Sequence, residues 1–189
     1  MNKILFINKS SRLPSIIIMS VSLLWIFAVM LNAQDQELWN NKRCAVSLTY
    51  DDALNVHLDI VQPALDSLGF KGTFYIPISF PGFRERLQDW KKLAANGNEL
   101  GNHTLFHPCA GSYPGRDWVQ PDYDLDGYTM KRFIDEVEVA NTTLRAIDGR
   151  RTRTFAYTCG DTMIGDSSFV PKIKKYFAGA RSVTPMMQK

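Results

Sequence analysis

Two adjacent aspartates and two histidines four residues apart are the side chains of this sequence best suited to chemistry. Asp51 and Asp52 close the run Thr49-Tyr50-Asp51-Asp52. Neighbouring carboxylates at the end of a buried strand repel each other unless a cation or a proton intervenes. Alone, the pair reads first as a turn or a helix cap, because aspartate serves both. His103 and His107 are two of the three histidines in the chain. On one helical turn the two imidazoles share a face and can meet a single metal ion. Gly101 and Asn102 before them and Pro108 after them bracket a tight single turn. No glutamate lies inside the pair, so the HExxH pattern of zinc proteases lacks its base. His57 stands alone on a predicted helix and reads as a surface residue. The third segment, Arg153-Thr154-Phe155-Ala156-Tyr157-Thr158-Cys159-Gly160-Asp161, signifies by itself only a strand running into a turn. Taken together, Asp52, His103 and His107 form a ligand set for a divalent ion with a position left for water. Asp51 is then a spare carboxylate placed to accept a proton.

The elements that must position these residues alternate strand with helix. Cys44–Tyr50 is rich in β-formers, and Gly72–Ile76, Glu99–Gly101, Thr154–Tyr157 and Ala178–Val183 also read as strands. Helices are predicted over Val56–Leu68, Arg84–Ala95, Thr129–Asp148 and Phe169–Tyr176. Leu87, Trp90 and Leu93 share one face of the second helix, which makes Trp90 a core residue. Met130, Phe133, Ile134, Val137, Ala140, Leu144 and Ile147 line one face of the third. This alternation is the signature of βαβ units around a parallel sheet, whose sites lie beyond the C-terminal ends of the strands. The polar segments above occupy those ends. Cys109–Tyr128 fits neither period, with Pro114, Gly115, Pro121, Gly127 and four aspartates, and is expected to be a long, functional surface loop.

Composition places the chain among globular proteins: 189 residues, 45% hydrophobic and 12% aromatic, too apolar for a disordered segment. Lys3, Lys9 and Arg12 precede an uncharged run from Ile16 to Leu31, followed by Asn32 and Ala33. That order is a secretory signal over residues 1–33, with cleavage expected after Ala33 and a short extension over 34–43. The sixteen-residue run is shorter than the roughly 20 residues that span a bilayer, so no stable membrane insertion is expected after cleavage. Setting the first 33 residues aside leaves 19 basic against 19 acidic residues, which gives no electrostatic case for nucleic acid. The expected location is outside the cytoplasm: secreted, periplasmic or in the cell envelope.

Thr49-Tyr50-Asp51-Asp52 resembles the first motif of the polysaccharide deacetylases, also called carbohydrate esterase family 4 or NodB-homology proteins. Glu99-Leu100-Gly101-Asn102-His103-Thr104 through His107-Pro108 resembles their second motif, and Lys71-Gly72-Thr73-Phe74-Tyr75 their second strand. The resemblance runs from about Cys44 to Val183. It implies an α/β fold, a distorted (β/α) barrel of the NodB-homology type, over residues 44–189. It also implies metal-dependent removal of acetyl groups from an acetylated carbohydrate, with an Asp general base. By position, Asp51 is the base and Asp52, His103 and His107 are the metal ligands. Zn2+ is the usual ion, and the donor types also accept Co2+, Ni2+ or Mn2+. The backbone N–H of Cys159 is the candidate oxyanion donor. Trp118, in the long loop, and Tyr157 are the candidate substrate contacts.

The sequence also departs from the family pattern. Ala156 follows Phe155 where the family has an arginine that orients the base, and Thr158 stands where proline is expected. Arg181, at the end of the last strand, and Arg153 are the two candidates for the vacant role. The family's later Trp motif and Leu-x-His motif have no counterpart before Lys189, and no histidine follows His107. The barrel is therefore expected to be incomplete in this chain, its C-terminal part lying beyond residue 189. A non-catalytic, glycan-binding relative in the cell envelope is the alternative reading. Cys109 follows the histidine segment and Cys159 lies in the third motif. They form either a disulfide beside the site or two small packed residues.

Overall fold

A computed structural model describes residues 44–183. The predicted signal segment, the extension and residues 184–189 lie outside the described residues. Five short strands form one parallel sheet: β1 (Thr49–Asp51), β2 (Thr73–Ile76), β3 (Glu99–Asn102), β4 (Thr154–Ala156) and β7 (Gly179–Arg181). Each strand lies beside the next in chain order, β1-β2-β3-β4-β7, and every pairing is parallel. A doubly wound sheet reverses its order at a switch point, whereas a (β/α) barrel does not. Between β4 and β7 a two-stranded antiparallel hairpin intervenes, β5 (Met163–Ile164) with β6 (Ser167–Ser168), which the sequence pattern did not reveal.

Neighbouring strands lie about 4.8 Å apart, so a flat sheet would separate β1 from β7 by about 19 Å. That gap exceeds the combined reach of an arginine and an aspartate. Yet Arg181, on β7, pairs with Asp51, on β1, and its guanidinium lies 4.9 Å from the ring centre of Tyr75 on β2. The sheet curls into a half-barrel, and the fold is an incomplete (β/α) barrel.

Helices cover the sheet through two apolar clusters. A π-helical turn, His57–Val61, runs into α1 (Gln62–Ser67), and Gly69 in the left-handed region ends the segment. α2 (Pro81–Arg84) and α3 (Leu87–Ala95) replace the single helix expected from Arg84, because the chain turns at Glu85 and Arg86. α4 (Met130–Asp148) is capped by the Thr129 hydroxyl, which accepts from the Arg132 N–H, and is closed by left-handed Gly149. A short α5 (Val170–Ile173) leads through a 3-10 turn (Lys174–Tyr176) into β7. Trp90 is fully buried against Phe74, and its indole N–H donates to the Gly82 carbonyl at 2.8 Å. Leu87, expected on the same buried face, is exposed. The second cluster joins Phe133, Val137, Phe155, Phe169 and Ile173 beneath α4.

The first strand starts at Thr49, five residues later than the β-rich pattern from Cys44 suggests. Its three residues suffice because Leu48 already accepts a hydrogen bond from the Thr73 N–H. His57 corrects the expectation of a surface residue. It is buried among Tyr50, Phe74 and Trp90.

The long segment after β3 is tied to the turn after β4 rather than free on the surface. Cys109 and Cys159 form a disulfide, and Arg116 donates to the Ala110 and Cys159 carbonyls at 3.1 Å each while pairing with Asp161. Closing a loop between residues 50 apart is worth about 4 kcal/mol of chain entropy. Replacing both cysteines by serine should lower the unfolding free energy by about 2–4 kcal/mol in urea titrations. In denatured, unreduced protein, only Cys44 should label with a thiol reagent, since it is the one free cysteine.

Candidate metal centre

All five strands of the sheet run in one direction, so their C-terminal ends share one rim. From that rim the chain delivers Asp51 at the end of β1, Asp52 just after it, His103 after β3, Cys159 after β4 and Arg181 at the end of β7. Asp52 Oδ1 faces both imidazoles, 3.3 Å from His107 Nε2 and 3.6 Å from His103 Nε2. The three ligand atoms lie together as a set able to hold one ion.

Several observations test whether a cation fits. The 3.6 Å contact exceeds, and the 3.3 Å contact slightly exceeds, the 2.7–3.2 Å of a good N–H···O bond. Both match the roughly 3.3 Å edge of a tetrahedron drawn with metal–ligand bonds of about 2.0–2.1 Å. Asp52 Oδ1 is buried and has no hydrogen-bond partner, an orphan that ordinarily costs free energy. His103 Nδ1 lies 2.9 Å from the Ala156 carbonyl oxygen, which can only accept. That nitrogen must carry the proton, and Nε2 is left with its lone pair toward Asp52. Burial lowers the His103 pKa to about 4 and lowers that of His107, while burial raises that of Asp52. Two neutral imidazoles and a carboxylate make a donor set suited to a divalent ion, and the residues fit.

The backbone around this set is strained. Among the described residues, five non-glycine residues have left-handed φ: Asp52 (73°), Ala53 (48°), Thr104 (66°), His107 (58°) and Cys159 (55°). Such conformations cost about 1–3 kcal/mol each and persist only where the surroundings enforce them. The surroundings here are specific. Gly82 packs so closely on the Ala53 carbonyl that a Cβ would come within 2.2 Å of its oxygen. Thr104 receives the His107 N–H on its hydroxyl at 2.9 Å and gives its own N–H to Asn102 Oδ1 at 2.7 Å. Asn102 is fully buried, and its amide nitrogen donates to the Val137 carbonyl and to Asn141 Oδ1 on α4. The histidine segment is thus an irregular loop with two left-handed residues, not the helical turn its four-residue spacing suggested.

Asp51 sits beside this set and receives the Arg181 guanidinium. Arg153, the other candidate partner, is buried against Asp148 at 3.1 Å and donates to the Leu100 carbonyl, so it braces the far side of the sheet. Cys159 lies at the rim on a 3-10 turn (Thr158–Gly160), held by its disulfide and by Arg116. Trp118 is exposed on the long loop. The half-buried Tyr157 ring packs against Phe155 and Phe169 and lines a cleft with Val170, Ile173, Lys174 and Phe177. Asn102 and Arg116 are positioning residues that sequence reasoning missed. Asn102 adjoins His103 in the sequence, but nothing marks Arg116, whose partners across the fold, Cys159 and Asp161, lie 43 and 45 residues away.

Residues 40–171 match the family profile described as polysaccharide deacetylase. A curated relative, a gellan lyase of a Bacillus species, is 30% identical over 125 residues, which is 65% of this chain and 4% of that protein. Among solved structures, a mutant of the Bacillus anthracis family 4 pseudoenzyme BA3943, described as having restored activity, superposes with a TM-score of 0.54 at 20% identity. That match covers 71% of this chain and 43% of the other. The family 4 carbohydrate esterase PdaA of Bacillus subtilis gives 0.53 at 20% identity, covering 71% and 50%. The chain spans half or less of the length of each of these relatives.

Replacing Asn102 by alanine removes the acceptor that holds Thr104 left-handed. Divalent-ion affinity, measured by calorimetric titration, should fall about 10–100-fold, as for other groups supporting metal ligands. Near-ultraviolet circular dichroism should show the fold retained.

Proposed function

The chain belongs to the polysaccharide deacetylase family, and we propose that it is a metal-dependent hydrolase that releases acetate from an acetylated carbohydrate polymer or oligosaccharide. One observation carries the reading: the orphaned Asp52 oxygen stands at ligand spacing from two imidazoles, with the Asp51–Arg181 pair beside it.

Asp52, His103 and His107 would hold the ion, with Zn2+ the expected occupant and Co2+, Ni2+ or Mn2+ compatible with the same donors. A divalent ion there supplies Lewis acidity, which lowers the pKa of water and polarises a carbonyl oxygen. Asp51 takes the proton from the attacking water as general base. Arg181 positions that carboxylate from the other edge of the curled sheet. The N–H of Cys159 is the proposed donor to the acetyl oxygen as negative charge develops on it. Trp118 offers an exposed aromatic face for a sugar ring.

A glycan-binding role without turnover is the second reading. The third-motif position next to Phe155 is the fully buried Ala156, so the base has no partner from β4. BA3943, a protein of this fold, is described as a pseudoenzyme.

In an acetate-release assay on acetylated glycans with metal supplied, Asp51→Asn should abolish turnover while one ion per chain remains bound. Arg181→Ala should lower turnover about 10–100-fold with metal stoichiometry unchanged, the magnitude typical of a lost orienting group. Glycan binding by the unmutated protein without acetate release would favour the second reading. Residues 1–33 are proposed to direct export, and N-terminal sequencing of the secreted protein should begin at Gln34. No helix among the described residues is long and apolar enough to cross a membrane.

A further inference from the structure

His107 presents one ring nitrogen to each of two different clusters. Nε2 faces Asp52, whereas Nδ1 lies 3.6 Å from Cys109 Sγ. With Cys159 Sγ, these atoms form a second compact group of ligand type, built on the other side of the same imidazole. In a tetrahedral site with bonds of about 2.3 Å to sulfur and about 2.0 Å to nitrogen, the S···N edge is roughly 3.5 Å. The observed spacing is that edge. While the sulfurs are bonded to each other they are poor donors, since the thiolate is the metal ligand.

We propose that reduction of the Cys109–Cys159 disulfide creates a second divalent-metal site, made of Cys109 Sγ, Cys159 Sγ and His107 Nδ1. The chemistry selects a borderline-soft ion of tetrahedral habit, Zn2+ or its spectroscopic substitute Co2+. The step balances. A phosphine gives two electrons, the S–S bond breaks, water supplies two protons and an oxygen, and the products are two thiols and a phosphine oxide. Binding of the ion then releases the two thiol protons and, with Nε2 already given to the first ion, the proton on His107 Nδ1, leaving the ring as an imidazolate. Three anchored residues on two loops favour the site over one formed by flexible cysteines. Cys109 is almost fully buried and its carbonyl accepts from the Leu125 N–H; Thr158, next to Cys159, donates to the Pro108 carbonyl at 2.6 Å; His107 is held through Thr104. The inference rests on the proposed function only in sharing His107.

The test is an anaerobic Co2+ titration of the full chain carrying Cys44→Ala, which removes the one free cysteine as a competing donor. Oxidised protein should bind one ion with weak visible absorption, as nitrogen and oxygen ligands give. Phosphine-reduced protein should bind a second equivalent and gain the intense near-ultraviolet absorption of sulfur-to-cobalt charge transfer. The band should vanish in Cys109→Ser/Cys159→Ser protein, which should still bind the first ion. If reduction unfolds the chain, Co2+ should restore the far-ultraviolet dichroism together with the band. Reduced protein that takes up no second ion and shows no band, folded or not, would overturn the proposal. A band in reduced protein whose oxidised form binds no ion would instead overturn the Asp52–His103–His107 reading and leave this site standing.

Discussion

The ion pair between Asp51 and Arg181 joins the two outermost strands of a five-stranded sheet, and it exists only because the sheet is curled. A flat sheet would hold these side chains apart by far more than their reach. Curling carries the C-terminal ends of β1, β3, β4 and β7 toward one mouth, so residues 51, 52, 103, 107, 159 and 181 become neighbours. It also lays the Arg181 guanidinium over Tyr75, whose hydroxyl is linked to Thr154 and through it to Glu99. The strand ends are therefore braced from below by β2, β3 and β4 as well as joined from above.

A mouth of this kind has to hold short polar loops in conformations the chain does not prefer. The five left-handed non-glycine residues all fall in the loops after β1, β3 and β4. At about 1–3 kcal/mol each, their combined cost is comparable with the whole stability of a small domain. Identifiable contacts offset it: Gly82 against Ala53, Asn102 between Thr104 and α4, the Cys109–Cys159 bridge, and Arg116 across two loops. Strain concentrated where the proposed metal ligands and base converge suits a preorganised site, because side chains already in place need no reordering when an ion or substrate arrives.

The orphaned oxygen of Asp52 and the lone pairs of two neutral imidazoles form one local charge problem. Burial alone pushes the carboxylate toward its protonated form and both histidines toward neutrality. A cation satisfies all three groups at once. The disulfide placed against the other nitrogen of His107 keeps two soft sulfur donors out of that arrangement while it remains closed.

The sequence by itself determined the βαβ order, the amphipathic faces of α3 and α4, and the residues of the centre, because each is a local signal. Apolar spacing tracks the helical period, glycine and threonine mark helix ends, and ligand side chains are recognisable by type and spacing. The same local reasoning erred where tertiary contacts rule. His57 is enclosed by aromatic residues from β1, β2 and α3, Leu87 is left outside by the turn at Arg86, and the histidine loop is irregular because Asn102 and Thr104 outweigh helical preference. Only the tertiary structure chose Arg181 over Arg153 as the partner of Asp51, and joined Cys109 to Cys159. Those choices depend on which strand ends a curled sheet brings together, and residues 50 to 130 positions apart carry no local mark of that meeting.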